Sequence, residues 1–179
     1  TYGGTLVEIL PIPQLVEAAK GMGHVHVDLD QDGLARGLFL NSGIGDAHWP
    51  SLSMAMASET NPMIKYIRQI ESLSSAPYMS VNTQYHLIPF AGPGGTFPTY
   101  SYLEVMLEQV PAEVFRDKTV LIGATAAGLG DIIPTPVSRS RTPMSGVELH
   151  ANAYSALMTK TAIRPVQSIW AYLLTFAFI

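Results

Sequence analysis

Cysteine is absent from the 179 residues, which excludes thiol nucleophiles, disulfides and cysteine-ligated metals and suits an oxidising compartment without requiring one. Charge is scarce as well. Only 13% of residues are charged, against about a quarter in an ordinary soluble domain. The ten lysines and arginines are scattered and the net charge is −4. Nucleic acid is therefore excluded as a partner, because phosphate binding needs a concentrated basic surface. The chain has no signal peptide at its start, and no apolar run approaches the roughly 20 residues that cross a bilayer. It reads as a piece excised at both ends.

What is present is a chain long enough for one domain, with 47% apolar residues to fill its core. No repeat and no low-complexity linker divides it. Beyond Arg164 no charge appears, and residues 169–179 (IWAYLLTFAFI) are almost wholly apolar. Two readings stand for this run. It is a buried terminal helix or strand, or it is the first part of a membrane helix, with Trp170 and Tyr172 at headgroup level and Arg164 just before. The second reading divides the chain into a domain over residues 1–165 and the start of a transmembrane helix over 166–179.

Proline and glycine punctuate the rest. A short helix is expected over residues 14–20, with Pro11 and Pro13 before it and Gly21 as its C-cap. Gly23-His24-Val25-His26-Val27-Asp28 has the strand period of two. With a turn at Asp30-Gln31-Asp32-Gly33 and a return over residues 34–40, it predicts a hairpin. Pro50-Ser51 opens a helix through Leu52, Ala55 and Met56, and a second is expected from Asn61 through Ile64, Ile67, Ile70 and Leu73. Residues 85–90 read as a strand and Gly92-Pro93-Gly94-Gly95 as a loop. Ser101-Tyr102-Leu103-Glu104 is a capping box for a helix that Pro111 ends.

Thr119-Val120-Leu121-Ile122 reads as a strand covered on both faces. Ser145-Gly146-Val147-Glu148 is a second capping box, for a helix expected to bury Val147, Ala151, Tyr154 and Leu157 or Met158. Alternating helices and strands give an α/β fold, a layered sandwich on a mixed central sheet.

Three constellations could carry chemistry. Asp28, Asp30, Asp32 and Gly33 open like a calcium loop, but Phe39 stands where the bidentate closing carboxylate belongs. A solvated turn with Arg36 as internal counter-ion accounts for the same residues better, so no metal is assigned. The glycine-rich loop over residues 123–131, with Gly123, Thr125, Gly128 and Asp131, leaves the end of a strand, where α/β folds bind ligands. It lacks the Gly-Lys-Ser/Thr of a phosphate cradle, and no helix opens from its glycines. A binding loop around Asp131 and a purely structural turn both remain open. Ser145 lacks the nucleophile-elbow pattern. His24, His26 and His150 fit structural roles better than a metal site, even with His24 and His26 on one strand face. No catalytic set and no cofactor is assigned.

The order Asp30-x-Asp32-Gly33-x-x-Arg36, then Val120-Leu121-Ile122-Gly123-Ala124-Thr125-Ala126, Asp131, Thr135-Pro136 and Gly146-Val147-Glu148-Leu149-His150-Ala151-Asn152 resembles the second type of CHASE domain. These are cyclase/histidine-kinase-associated sensory extracellular domains of bacterial receptors. The resemblance covers residues 11–160 and is most specific over 123–152. It implies a periplasmic sensor of an inner-membrane protein, with membrane helices and a cytoplasmic histidine kinase, nucleotide cyclase or diguanylate cyclase beyond. The run over 169–179 falls where that family places a membrane helix.

The family carries a further segment ahead of the region matching Pro11, so the chain is expected to be a truncated, C-terminal portion of the family domain. The partners implied are an unidentified small-molecule or protein signal, the membrane through the C-terminal helix, and a second copy in a homodimer. Recognition is expected at Gly123, Thr125, Gly128, Asp131, Thr135, Ser145, His150 and Asn152, with Asp30, Asp32, Gly33 and Arg36 holding a turn. The alternative is a periplasmic small-molecule-binding or hydrolytic domain with its site at the 123–131 loop.

Overall fold

The computed structural model describes residues 7–64, 78–125, 131–138, 144–166 and 176. The fold is mixed α/β, as the alternation of elements predicts. A three-stranded antiparallel sheet has β1 (Gly37–Ile44) at its centre, flanked by β2 (Trp49–Pro50) and β3 (Ser80–Leu87). In the register, Leu38 lies opposite His86 and Phe39 opposite Tyr85. The Phe39 and Tyr85 rings stack at a tilt, centroids 5.1 Å apart. A second ribbon joins β4 (Ile132–Ile133) to β5 (Met144–Ser145). Both described sheets pair antiparallel, and the parallel component is a single bridge between His24 and Ser51.

Helix α1 (Pro13–Ala18) buries no residue and ends at an extended Ala19, two residues before the expected glycine cap. Helices α2 (Leu52–Thr60) and α4 (Gly146–Met158) pack together over the sheet. Small residues make that approach possible: Ser53 and Ala57 on α2 meet a helix whose buried positions include Ala153 and Ala156. The core is Leu38 and Leu40 from β1, Met54 from α2, Met144, and Leu149 and Ala153 from α4, with Ala35 and Ile88.

Ser51 starts α2 because its hydroxyl accepts the Met54 N–H at 3.2 Å, satisfying one of the orphan donors of the first turn. Helix α3 (Tyr102–Met106) has the expected capping box, with Glu104 accepting the Ser101 N–H. It is shorter than expected, because Glu108 turns to φ 55° before Pro111 is reached, and a 3-10 turn (Ala112–Val114) follows.

Four expectations are corrected. The turn at residues 30–33 is present, but residues 23–28 do not pair with the returning strand. That strand, β1, takes β2 and β3 instead. The expected strand at 85–90 begins at Ser80 and ends at Leu87. Residues 119–122 form no ladder among the described residues, and Val120 and Ile122 are half to four-fifths exposed. Finally, α4 buries Leu149, His150, Asn152, Ala153 and Ala156 rather than Val147, Ala151 and Tyr154. The expected helix from Asn61 continues into residues outside the described set. No helix of the described residues is long and apolar enough to cross a membrane, and of residues 169–179 only Phe176 is described.

Candidate functional site

Helix α4 organises the polar centre of the molecule. Successive helix residues are about 100° apart, so Glu148 and Asn152 share one face while His150 points to nearly the opposite one. Glu148 does not reach back to its own helix start, as a capping box requires. Its Oε1 accepts the N–H groups of Gly95 and Thr96, each at 2.9 Å, so it caps the loop before α3 instead. Asn152, 1% exposed, accepts the Ala91 N–H at 2.8 Å through Oδ1. Through Nδ2 it donates to the Glu148 carbonyl at 2.9 Å. One face of α4 thus grips residues 91–97.

The other face grips two more segments. His150 is 3% exposed, with Nδ1 3.4 Å from Ser53 Oγ on α2 and Nε2 3.5 Å from the Val25 carbonyl. A carbonyl only accepts, so Nε2 carries the proton and Nδ1 accepts from the serine hydroxyl. Burial pushes the His150 imidazole below the usual histidine range, opposed by the Val25 carbonyl and Asp131. Ser53, His150 and Asp131 form the elements of a hydrolytic triad without its geometry. Ser53 is wholly buried, so no substrate carbonyl reaches its hydroxyl, and Nε2 faces a carbonyl rather than a nucleophile.

Asp131 lies over the start of α4. Its carbonyl accepts the Gly146 N–H at 3.0 Å, and its carboxylate occupies the space of a side chain at Gly146, where a Cβ would fall 2.2 Å from Oδ1. Glycine is required at 146 for that approach. Ser145 pairs with Ile132 in the β4–β5 ribbon, and its hydroxyl makes no cap bond. Gly123 lies against the Val147 side chain. Thr135 is 3% exposed, and its N–H and hydroxyl both meet Ser138 Oγ within its own turn, at 3.0 and 2.9 Å. Thr125 is exposed, and Gly128 lies outside the described residues. Asp131, Ser145, His150 and Asn152 therefore converge on the first half of α4 with Gly123 beside them, while Thr125 and Thr135 stand apart.

Two further features bound the site. A crevice lined by Leu38, Leu40, Leu87, Ile88, Ala156 and Leu157 is apolar and has room for about one water molecule. It is too small for a metabolite. Among the described residues no three His, Asp or Glu side chains are arranged to hold a metal ion. The acidic turn is closed from within. Arg36 donates to Asp30 at 2.8 Å and to both oxygens of Asp32, at 2.8 and 2.6 Å, while Gly33 takes φ +79°. The Arg36 hydrogen bonds hold the Asp32 carboxyl down at about 2 and push the guanidinium further above its usual range. Asp28 turns elsewhere, to His26 at 2.8 Å and Asn82 at 3.2 Å.

Sequence reasoning missed Ser53, the backbone of residues 91–97 and the burial of His24. Only the apolar surroundings of Ser53 in its helix hinted at any of them. His24 and His26 do not share an environment: His24 is turned inward and His26 is half exposed.

Taken together, this is an α/β domain in which one helix ties three distant segments. The chain matches the family model of the CHASE2 domain over residues 4–179 and belongs to that family, whose members are sensory extracellular domains of signalling receptors. The match extends beyond the 11–160 region in which the resemblance is visible by motif. No curated protein and no solved structure matches the chain.

Proposed function

We propose that the chain is the extracytoplasmic, signal-sensing input domain of a membrane-bound bacterial receptor. In this reading residues 1–165 face the periplasm, residues 166–179 open a transmembrane helix, and the effector beyond is a cytoplasmic histidine kinase, nucleotide cyclase or diguanylate cyclase. Membership of the CHASE2 family carries the reading, and the uncharged stretch after Arg164 supports its membrane part. The signal, a small molecule or a partner protein, meets the 123–131 loop. Gly123 rests on Val147 and Asp131 on Gly146, so whatever binds there bears directly on α4. From α4 the disturbance reaches α2, the 23–28 segment and the 91–97 loop. A homodimer is the natural way to pass such a change across a membrane.

The absence of cysteine makes the orientation easy to test. Gln31→Cys, in an exposed turn, introduces a thiol into the full-length receptor. A membrane-impermeant maleimide is expected to label it in intact cells above the background of the parent protein. Labelling that needs cell lysis overturns the extracytoplasmic assignment. Asp131→Asn in the same receptor tests the recognition surface: a variant that folds as wild type and loses effector output supports it. One that keeps both stability and output removes the loop from the mechanism.

A further inference from the structure

The 23–28 segment crosses α2 and α4 at His24 and Val25, which brings His24 within electrostatic reach of His150. Few bonds hold the segment to α2 and α4, while its far end is tied by Val27 against the core and by Asp28 accepting from Asn82 Nδ2 at 3.2 Å. The His24 N–H donates to the Pro50 carbonyl and the His24 carbonyl accepts the Leu52 N–H, both at 2.8 Å. The Val25 carbonyl faces His150 Nε2. Gly23 presses so closely on α2 that a Cβ would lie 2.7 Å from the Leu52 backbone. Upstream, α1 buries nothing, and the tie on that side is Glu8, which accepts the Ile44 N–H and the Trp49 indole N–H. Inside this contact both ring nitrogens of His24 are shut away from solvent and make no well-formed hydrogen bond among the described residues, the Phe39 backbone offering only a weak one. Buried donors and acceptors are almost always paired, so a poorly paired imidazole beside a second, 3% exposed imidazole calls for a functional account.

We propose that residues 23–28 form an acid-released latch: neutral imidazoles at His24 and His150 let the segment close on α2 and α4, and a proton entering the pair opens it. The domain thereby responds to the acidity of the compartment it faces, a consequence that rests on the sensory reading above.

The charges around the pair favour opening. The segment itself brings His26, a third imidazole, whose own partner is Asp28 at 2.8 Å. From α2 comes Ser53, a neutral hydroxyl. From β1 the Phe39 backbone gives His24 the weakest of the influences on it. From the start of β4 Asp131 is the one carboxylate that favours a charged His150. Glu148 is engaged on the other face of α4. Burial dominates and brings His24 down to about 4, helped by His150 and then His26.

The sign follows from where the proton binds. Each imidazole has a lower pKa in the closed form than its value of about 6.5 when free, so the open form takes up protons first. Closure is complete in strength above pH 6.5 and weakens as pH falls from there to about 4. In that window the opening equilibrium rises by up to about tenfold per pH unit for each imidazole.

The test is hydrogen exchange read by NMR on this chain between pH 7 and 4.5. After correction for intrinsic rates, protection of the His24 and Leu52 amides is expected to fall at least about tenfold while the β1–β3 ladder keeps its protection. In His24→Phe the acid response of the Leu52 amide is expected to shrink. Uniform loss of protection throughout the chain overturns the latch, as does protection that does not change with pH. Should His24→Phe fail to fold, the ring nitrogen shifts of the unsubstituted chain decide. Rings still neutral at pH 5.5 support the latch, and rings that titrate at 6.5 overturn it. This measurement needs no membrane, so failure of the maleimide test removes the sensory orientation and leaves the latch standing.

Discussion

The Asp30–Arg36 turn and the Glu148–Asn152 stretch of α4 are built from similar material, a few charged and polar side chains within seven residues, yet they hold the protein in opposite ways. The turn is satisfied locally. Arg36 bonds Asp30 six residues away and Asp32 four residues away, in groups that are each more than a third exposed. In water-like surroundings such pairs contribute little, because solvent and ions screen them and two long side chains must be ordered to form them. The α4 residues reach partners 53, 61 and 125 positions away, and His150 and Asn152 do so in the core. There the alternative to each bond is a buried group with no partner, so its loss carries the full desolvation penalty. The lesson is that location, more than charge count, decides which polar cluster matters.

That contrast can be broken at several points. Asn152→Leu removes the acceptor for the Ala91 N–H and the Nδ2 donor to the Glu148 carbonyl, and sets an apolar side chain against both. A loss of about 1–2 kcal/mol and a fall in Tm of roughly 2–8 °C are expected by calorimetry. A shift under 2 °C would falsify the view of α4 as a staple. Glu148→Gln keeps the shape and one acceptor oxygen but drops the charge that strengthens the bonds to Gly95 and Thr96. About 1 kcal/mol should be lost, with faster exchange confined to the 95–97 amides.

Arg36→Gln, on the surface side of the comparison, should lower Tm at pH 7 by only about 1–3 °C, because solvent screens the pairs it removes. That difference should close in acid. The Asp32 carboxyl sits at about 2 against an ordinary 3.8, so its contribution is present above pH 3.8 and fades as pH falls towards 2. The variant should lack that slope in an acid titration of stability. The smallest effect expected is from calcium. At about 1 mM it should not raise Tm, since Arg36 occupies the carboxylates a cation would need. A rise of several degrees that vanishes in Asp30→Ala would show that the turn opens to bind it.

Features whose cause lies within a few residues could be read directly. Ser101 and Glu104 predicted a capping box, and both of its bonds are present. Ser51 marked the start of α2 and Gly146 the start of α4. The turn at 30–33 and the pairing of Arg36 with its aspartates followed from spacing alone. Features that depend on a distant partner were misread. The GVELHAN stretch was legible as important, but Glu148 looked like a cap for its own helix, because nothing local signals that the 95–97 amides lie closer. Residues 119–122 have the apolar run of an enclosed strand and lie exposed. The buried face of α4 also differs from the expected one, since small residues, Ala153 and Ala156, are buried where bulk was expected.

The sequence by itself determined the α/β class, the turn and cap chemistry, the family resemblance and the uncharged stretch after Arg164. These are properties of neighbouring residues or of composition, and their physics is short-ranged. Only the tertiary structure decided that β1 pairs with β2 and β3 rather than with residues 23–28, and that His24 is enclosed while His26 is not. It also decided that Glu148, His150 and Asn152 each hold a different segment. Such outcomes are set by which buried groups find partners when the whole chain closes, a competition among residues far apart in sequence that no local pattern records.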